Sequence, residues 1–483
     1  MTSTPQRGSD SKLKQGITGP MLYLFILGDV PGAGIYALVG EVSGEVGGAI
    51  WVPLATALLL ALLTASYYAE LVTKYPKAGG AALFAERAFK RPALSFMVGF
   101  CMLAAGVTSG AGLALAFTGD YLSVFLDVPP VPAAVVFLLL VALLNARGIS
   151  ESVRTSVVMT VIELSGLILV IVLVAVMVGR GDGYTEQITR FPADANPATA
   201  VLAASLLAYY SFVGFEVSAN VAEEVRDVSR VYPRALFGAM LTAGVVYLLI
   251  GIAASSALPT EKLANSSGPL PAVISATGFG LPDWIFSLIA LVAVANGALL
   301  TMIMSSRLTY GMAEQGLLPA VFGKVLPRRK TPWVAIAATT AVAMAPTMTG
   351  GLASLAETVV LLLLLVFLST NLSVIVLRKD SVDHPHFRTP LVLPYLAIAS
   401  CILLLTQQSG WVSLRAGILL AIGGVLYLVR RAVKGTAGRD SLEVVVVILA
   451  GVLLAELAAL LDVFFHLRLA LLRLAGVARG QLD

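Results

Sequence analysis

Apolar residues run along this chain in long blocks, and polar residues collect in the short joints between them. Blocks near 18–40, 49–72, 94–125, 131–146, 156–178, 199–220, 235–257, 284–312, 333–349, 354–377, 391–408 and 412–429 each approach the roughly 20 residues that a helix needs to cross a bilayer. Twelve membrane helices are therefore predicted. They fall into helices 1–5 (about 18–178), helices 6–10 (about 199–377) and helices 11–12 (about 391–429), a transporter-sized unit over 16–430. A polar tail, 1–15, precedes them. The segment 431–483 follows and holds the apolar run SLEVVVVILAGVLLAELAALLDVFF. Glu456 and Asp462 interrupt that run. It is expected to be an extra C-terminal helix lying on the membrane or against the bundle, with a thirteenth span as the alternative.

Composition supports the same class. Of 483 residues, 58% are hydrophobic and 12% charged, and the mean hydropathy is +0.91. Soluble domains carry about 25% charged residues, so this chain has no polar coat for a soluble fold. With the N-terminus placed in the cytoplasm, only Arg180, Arg190, Lys262 and Arg415 of the 32 Lys and Arg face the other side. That asymmetry is the positive-inside pattern of a multi-pass protein of the cell membrane. The net charge of +4 reflects it and gives no reason to expect a nucleic acid partner. Cys101 and Cys401 sit in apolar runs, and three scattered histidines make no ligand set, so neither a metal site nor a cofactor is expected.

Two of the blocks are interrupted in mid-span. The first contains GDVPGAGIYALVG, Gly28 to Gly40, with Asp29, Pro31 and a glycine pair. Proline removes a backbone donor and glycine admits unusual backbone angles. Open backbone at membrane depth survives only where protein or a watery cavity covers it. Its free amides then suit an anion, and its free carbonyls a cation. The GxGxxG nucleotide motif is incomplete here, because Ala37 stands at its third place, and no strand precedes it. The second interruption, LLAYYSFVGFEVSAN from Leu206 to Asn220, falls in the sixth block around Ser211, Gly214 and Glu216. Glycine-broken spans at matching places in two five-helix halves point to a transporter binding site.

Four segments resemble the amino acid–polyamine–organocation (APC) superfamily of secondary transporters: GDVPGAGIYALVGEVSGE, YPKAGGAALFAERAF, SFVGFEVSANVAEEVRDVSRVYPRAL and SRLTYGMAEQGLLPAVFGKV. They lie in the family's order from residue 28 to 325, and the likeness fades after helix 10. The resemblance implies an all-α polytopic protein with a LeuT-type 5+5 inverted repeat and broken helices 1 and 6. It also implies that backbone amides of Gly32, Ala33, Gly34 and Ile35 bind a substrate carboxylate. Carbonyls around Asp29–Val30 and Tyr210–Ser211–Phe212 would hold the amine beside Gly214, with Phe212 as the aromatic lid. Two features depart from the family pattern: Pro31 replaces a branched apolar residue, and Val228 replaces a loop proline. Glu163 stands where some proton-coupled relatives carry lysine, which removes the usual lysine-for-sodium substitution.

Charged residues inside a span usually face the bundle and carry function. Asp29, Glu163 and Glu216 are the candidates for amine attraction or for coupling, to a proton rather than to sodium. Glu41, Glu45 and Glu70 lie nearer span ends, where helix contacts can satisfy them. Glu223 and Glu224 with Arg226 and Arg230 are candidates for a salt-bridged inner gate. Gly106, Gly110 and Gly112 are read as close-packing residues of helix 3, and Asn296, Ser305 and Ser306 as interhelical hydrogen-bond partners. The expected function is secondary active transport of an amino acid or related organic cation by alternating access. A membrane-embedded enzyme, a channel and a transport-inactive sensor are the alternatives. The first would need a nucleophile–base pair or a metal cluster, and neither a GxSxG nor an HExxH sequence is present.

Overall fold

The computed structural model describes residues 16–434 except 31, 78, 194, 267, 349–351 and 406–409. Pro31 and the predicted C-terminal helix lie outside the described residues. The described chain is almost wholly helical, as apolar solvent demands: only a helix or a closed barrel satisfies its own backbone in a bilayer.

The helices are α1 (Gly19–Asp29), α2 (Gly32–Val46), α3 (Trp51–Lys74), α4 (Gly80–Phe89), α5 (Pro92–Ala116), α6 (Pro130–Arg147), α7 (Ile149–Gly179) and α8 (Pro197–Tyr210). They continue as α9 (Val228–Ala257), α10 (Thr260–Ala264), α11 (Pro269–Ala276), α12 (Asp283–Glu314), α13 (Trp333–Met344), α14 (Leu352–Leu377), α15 (Leu393–Leu405) and α16 (Gly410–Lys434). Among the described residues, eight continuous stretches are long and apolar enough to cross a membrane, and a ninth span is a bent pair. That pair is the first predicted block, whose Gly19–Tyr36 and Leu38–Val46 portions meet at 59°. Blocks nine and eleven are shorter helices, 333–348 and 393–405. The twelfth, α16, carries Arg415, Arg430, Arg431 and Lys434 and is not among the eight.

Two contacts show how the interrupted spans lie. At one level α2 packs against α8, and at the opposite end α1 packs against Phe215–Glu224, the tight 3-10 segment that completes the sixth span. The two spans therefore run antiparallel, with their breaks at one height. Where they end, Ile17 pairs with Val225, the Ile17 amide donates to Glu224 O at 3.0 Å, and the Arg226 amide donates to Ile17 O at 3.0 Å. Around this pair, α5 packs with α12 and α14, and α3 with α9.

Exposed residues such as Leu59, Leu140, Leu143 and Val158 point away from the bundle. In water such faces would be a liability; in lipid they are the solvent-facing surface. The polar loop after α14 is fastened to α3. Glu70 lies 3.5 Å from the Arg378 guanidinium and accepts the Thr389 amide at 2.8 Å, while the Thr389 hydroxyl donates to Ser66 O. Glu70 is thus satisfied by neighbouring structure, as its place near a span end suggests.

Candidate functional site

The site is built where the two breaks touch. A side chain's first carbon placed on Gly34 would stand 2.7 Å from Ser211 Cα, so only glycine lets the spans approach this closely. Gly214 takes φ +130°, a backbone shape that L side chains rarely adopt, and faces the carbonyl and carboxylate of Asp29. One glycine from each break therefore meets the other span's broken segment.

Each break exposes backbone groups, and neighbouring helices answer some of them. In the first, the Asn296 amide of α12 donates to Gly28 O at 3.1 Å and to the Thr160 hydroxyl of α7 at 3.1 Å. Tyr36 donates to Glu163 O at 3.2 Å, tying α2 to α7. In the second, the Tyr247 hydroxyl of α9 donates to Ser211 O at 3.0 Å, and Glu216 Oε2 accepts the Gly214 amide at 2.9 Å. The amides from Gly32 to Ile35 stand at the N-terminus of α2, the positive end of its dipole.

A cavity of about 40 Å³ lies at this junction. Asp29, Val30, Gly34, Tyr210, Gly214 and Glu216 contribute from the broken spans. Gly106 and Ser109 of α5, Thr301 and Met304 of α12, and Val359 of α14 close it. No Lys, Arg or His lines it among the described residues. Asp29 is 6% exposed, and its Oδ2 is buried without a hydrogen-bond partner. Glu163 is fully buried and does not line the cavity, and neither of its carboxylate oxygens has a hydrogen-bond partner. In this conformation the space holds only a few waters, each needing about 10–15 Å³.

Several predicted site residues lie elsewhere. Phe212, the expected lid, is fully buried against Tyr247, ring centroids 5.0 Å apart, and does not line the cavity; the aromatic that does is Tyr210. Ser211 and Ile35 stand behind the lining, while Gly32 and Ala33 open α2. Gly106 combines two roles. It lines the cavity, and a Cβ there would strike Ser305 Oγ at 2.4 Å.

The basic end of the bundle differs most from expectation. Arg226 and Arg230 are exposed, and Glu223 is half-buried. Glu224 instead turns inward and lies 4.0 Å from Arg307 Nε of α12, both residues being buried. Arg307 donates to Asn145 Oδ1 of α6 at 2.8 Å, and Asn145 donates to Ser306 Oγ at 3.2 Å. Arg307 was not singled out by the sequence, although an arginine in a 32-residue apolar helix is the very signal that marks a buried partner.

Segments far apart in the sequence converge here. Asn220 of the sixth span packs on the Gly80 backbone, and Gln315 beyond α12 packs on Gly79. Three of the four segments that carry the family likeness thus meet in one place. A family model for amino acid permeases matches residues 18–419. The chain belongs to the amino acid permease family. Among its relatives is the vacuolar cationic amino acid transporter 4 of Arabidopsis thaliana, 28% identical over 73% of this chain and 61% of the relative. The permease also matches the branched-chain amino acid permease BcaP of Bacillus subtilis (strain 168), 25% identical over 86% of this chain and 93% of BcaP. A low-affinity putrescine importer, PlaP of Escherichia coli (strain K12), is 28% identical over 64% of the chain and 69% of its own length. These relatives are transporters rather than enzymes, so this multi-pass membrane protein falls in a transport family.

Proposed function

We propose that this permease is a secondary transporter of an amino acid or related amine, working by alternating access at the junction of its two broken spans. One observation carries the reading. Two carboxylates, Asp29 and Glu216, share a buried cavity with open backbone and without a basic side chain. A buried anion needs a counter-charge. A substrate ammonium or a proton supplies it, while the amides of Gly32 to Ile35 receive a substrate carboxylate at the positive end of α2. The names of the relatives, spanning cationic and branched-chain amino acids and putrescine, fit a shared amine subsite with a variable remainder.

Within this reading the helices form the LeuT-type 5+5 arrangement of twelve spans, with α13 and α15 as the short members. The antiparallel pairing of the broken spans supports it. The protein sits in the cell membrane with its N-terminus cytoplasmic, supported by the asymmetry of its basic loops. Coupling runs through a proton held by Asp29, Glu163 or Glu216, three buried acids. The inner gate is Glu224–Arg307, together with the Ile17–Val225 pairing, rather than the exposed arginines Arg226 and Arg230. Since the cavity now holds only water-sized space, substrate entry requires the lining helices to separate.

The deciding experiment is uptake by proteoliposomes under imposed proton and sodium gradients, with competition by a panel of amino acids and polyamines. Saturable uptake that an inward proton gradient drives is expected. A folded protein that takes up none of the panel under any gradient overturns the transport reading. Uptake strictly dependent on sodium and indifferent to pH overturns the proton coupling alone.

A further inference from the structure

A second, more open cavity of about 490 Å³ lies between the first turns of α1 and α9. Gly19, Pro20 and Tyr23 form one wall. Asp227, Arg230 and Arg234 face them from the start of α9. Two guanidinium groups against one carboxylate leave this groove cationic. Neither arginine is held in an ion pair among the described residues.

The surface that continues from the groove is what gives the charge meaning. On α9, Arg230, Arg234, Leu241, Val245 and Leu249 fall at helical spacings of four, seven, four and four, which keeps them on one stripe. All five are exposed: both arginines at the groove, then Leu241 at 49%, Val245 at 55% and Leu249 at 43%. At about 1.5 Å per residue, the apolar part begins roughly 10 Å beyond Arg234. Tyr23 seals the seam beneath, with its hydroxyl 2.9 Å from the Thr242 hydroxyl. A cationic groove at the mouth of a continuous apolar stripe matches a lipid with an anionic head and two acyl tails. A soluble anion would use only the first half of it.

We infer that this groove binds the phosphate of an anionic phospholipid between Arg230 and Arg234, with its tails along Leu241 and Val245. The site is separate from the substrate cavity and does not depend on what the permease carries. Because it joins α1 to α9, a bound lipid bridges the first half of broken span 1 and an unbroken span.

The test counts retained lipid. Full-length protein is reconstituted into an equimolar mixture of phosphatidylcholine and phosphatidylglycerol, re-extracted in neutral detergent and examined by native mass spectrometry. Wild type is expected to retain phosphatidylglycerol preferentially. Each of Arg230→Gln and Arg234→Gln should lower that retention by about fivefold, as expected for one basic side chain at a lipid surface. A control pair, Arg328→Gln with Arg329→Gln in another basic loop, should retain it as wild type does. Equal loss in the control, or full retention in the groove variants, overturns the site. Stabilisation by inorganic phosphate in detergent, lost in the groove variants, without preference for phosphatidylglycerol overturns the lipid assignment in favour of a free anion.

Discussion

The two breaks in this permease look alike in sequence and are built differently. The first is brief: α1 ends at Asp29 and α2 starts at Gly32. Its carbonyl at Gly28 is answered by a donor from another helix, Asn296, and its acid keeps an unpartnered oxygen. The second is longer. After Tyr210 the chain turns through Gly214 and continues as 3-10 helix rather than α-helix. Its acid, Glu216, folds back on the Gly214 amide of its own break. The end of this segment is anchored at Glu224, by Arg307 and by the amides of Gly16 and Ile17. One break therefore presents an unsatisfied acid to the cavity, and the other is self-satisfied and anchored. A ligand gains most where a buried polar group still lacks a partner.

This contrast can be broken in four places, taken from the largest expected effect downward. Removing one partner of the buried pair by Arg307→Ala should destabilise the fold by about 3–5 kcal/mol, because an uncompensated charge remains. The double variant with Glu224→Gln should recover much of that loss. Thermal unfolding in detergent measures both, and an Arg307→Ala protein as stable as wild type would show that the anchor is not a coupled pair. Next, Asp29→Asn should lower substrate uptake about tenfold to a hundredfold while leaving stability near wild type. In the proposed function the free acid serves the ligand, and a charged hydrogen bond contributes about 1.5–3 kcal/mol. Glu216→Gln keeps an acceptor for the Gly214 amide and should lose less uptake. Equal losses would erase the distinction between the two breaks.

Third, Gly214→Ala forces an L side chain into φ +130° against Asp29, a strain of about 1–3 kcal/mol. A lower unfolding temperature and weaker uptake should appear together. Smallest of all, Asn296→Ala removes the donor to Gly28 O and should cost about 1 kcal/mol. It should impair the first break while leaving the sixth span intact, which hydrogen exchange at Gly28–Asp29 compared with Gly214–Glu216 would resolve.

Much of this was legible along the chain. Apolar blocks locate helices because a bilayer forbids unsatisfied backbone, and glycine, proline and acid inside a block mark where that rule is relaxed. Asp29, Gly34, Gly214 and Glu216 were readable on those grounds, Tyr210 came only from the family resemblance, and all five line one cavity. Other features were not legible. The direction a side chain takes from a 3-10 segment differs from its direction on an α-helix, since three residues rather than 3.6 make a turn. Glu224 accordingly points inward while its neighbour Glu223 stays half-buried, and Phe212, in the turn before that segment, packs on Tyr247. The gate pairing failed for a related reason. Arg226 and Arg230 are near Glu224 in sequence, but Arg307, 83 positions on, is near it in space.

By itself, then, the sequence determined the medium, the class and the height of the two breaks. Hydropathy and backbone chemistry are local properties, and a membrane reads them locally. The tertiary structure alone decided which carboxylate stays free, which arginine lies beside Glu224, and that one glycine from each break touches the other span. Those outcomes depend on distances between segments hundreds of residues apart, where a single missing Cβ sets how closely two backbones approach.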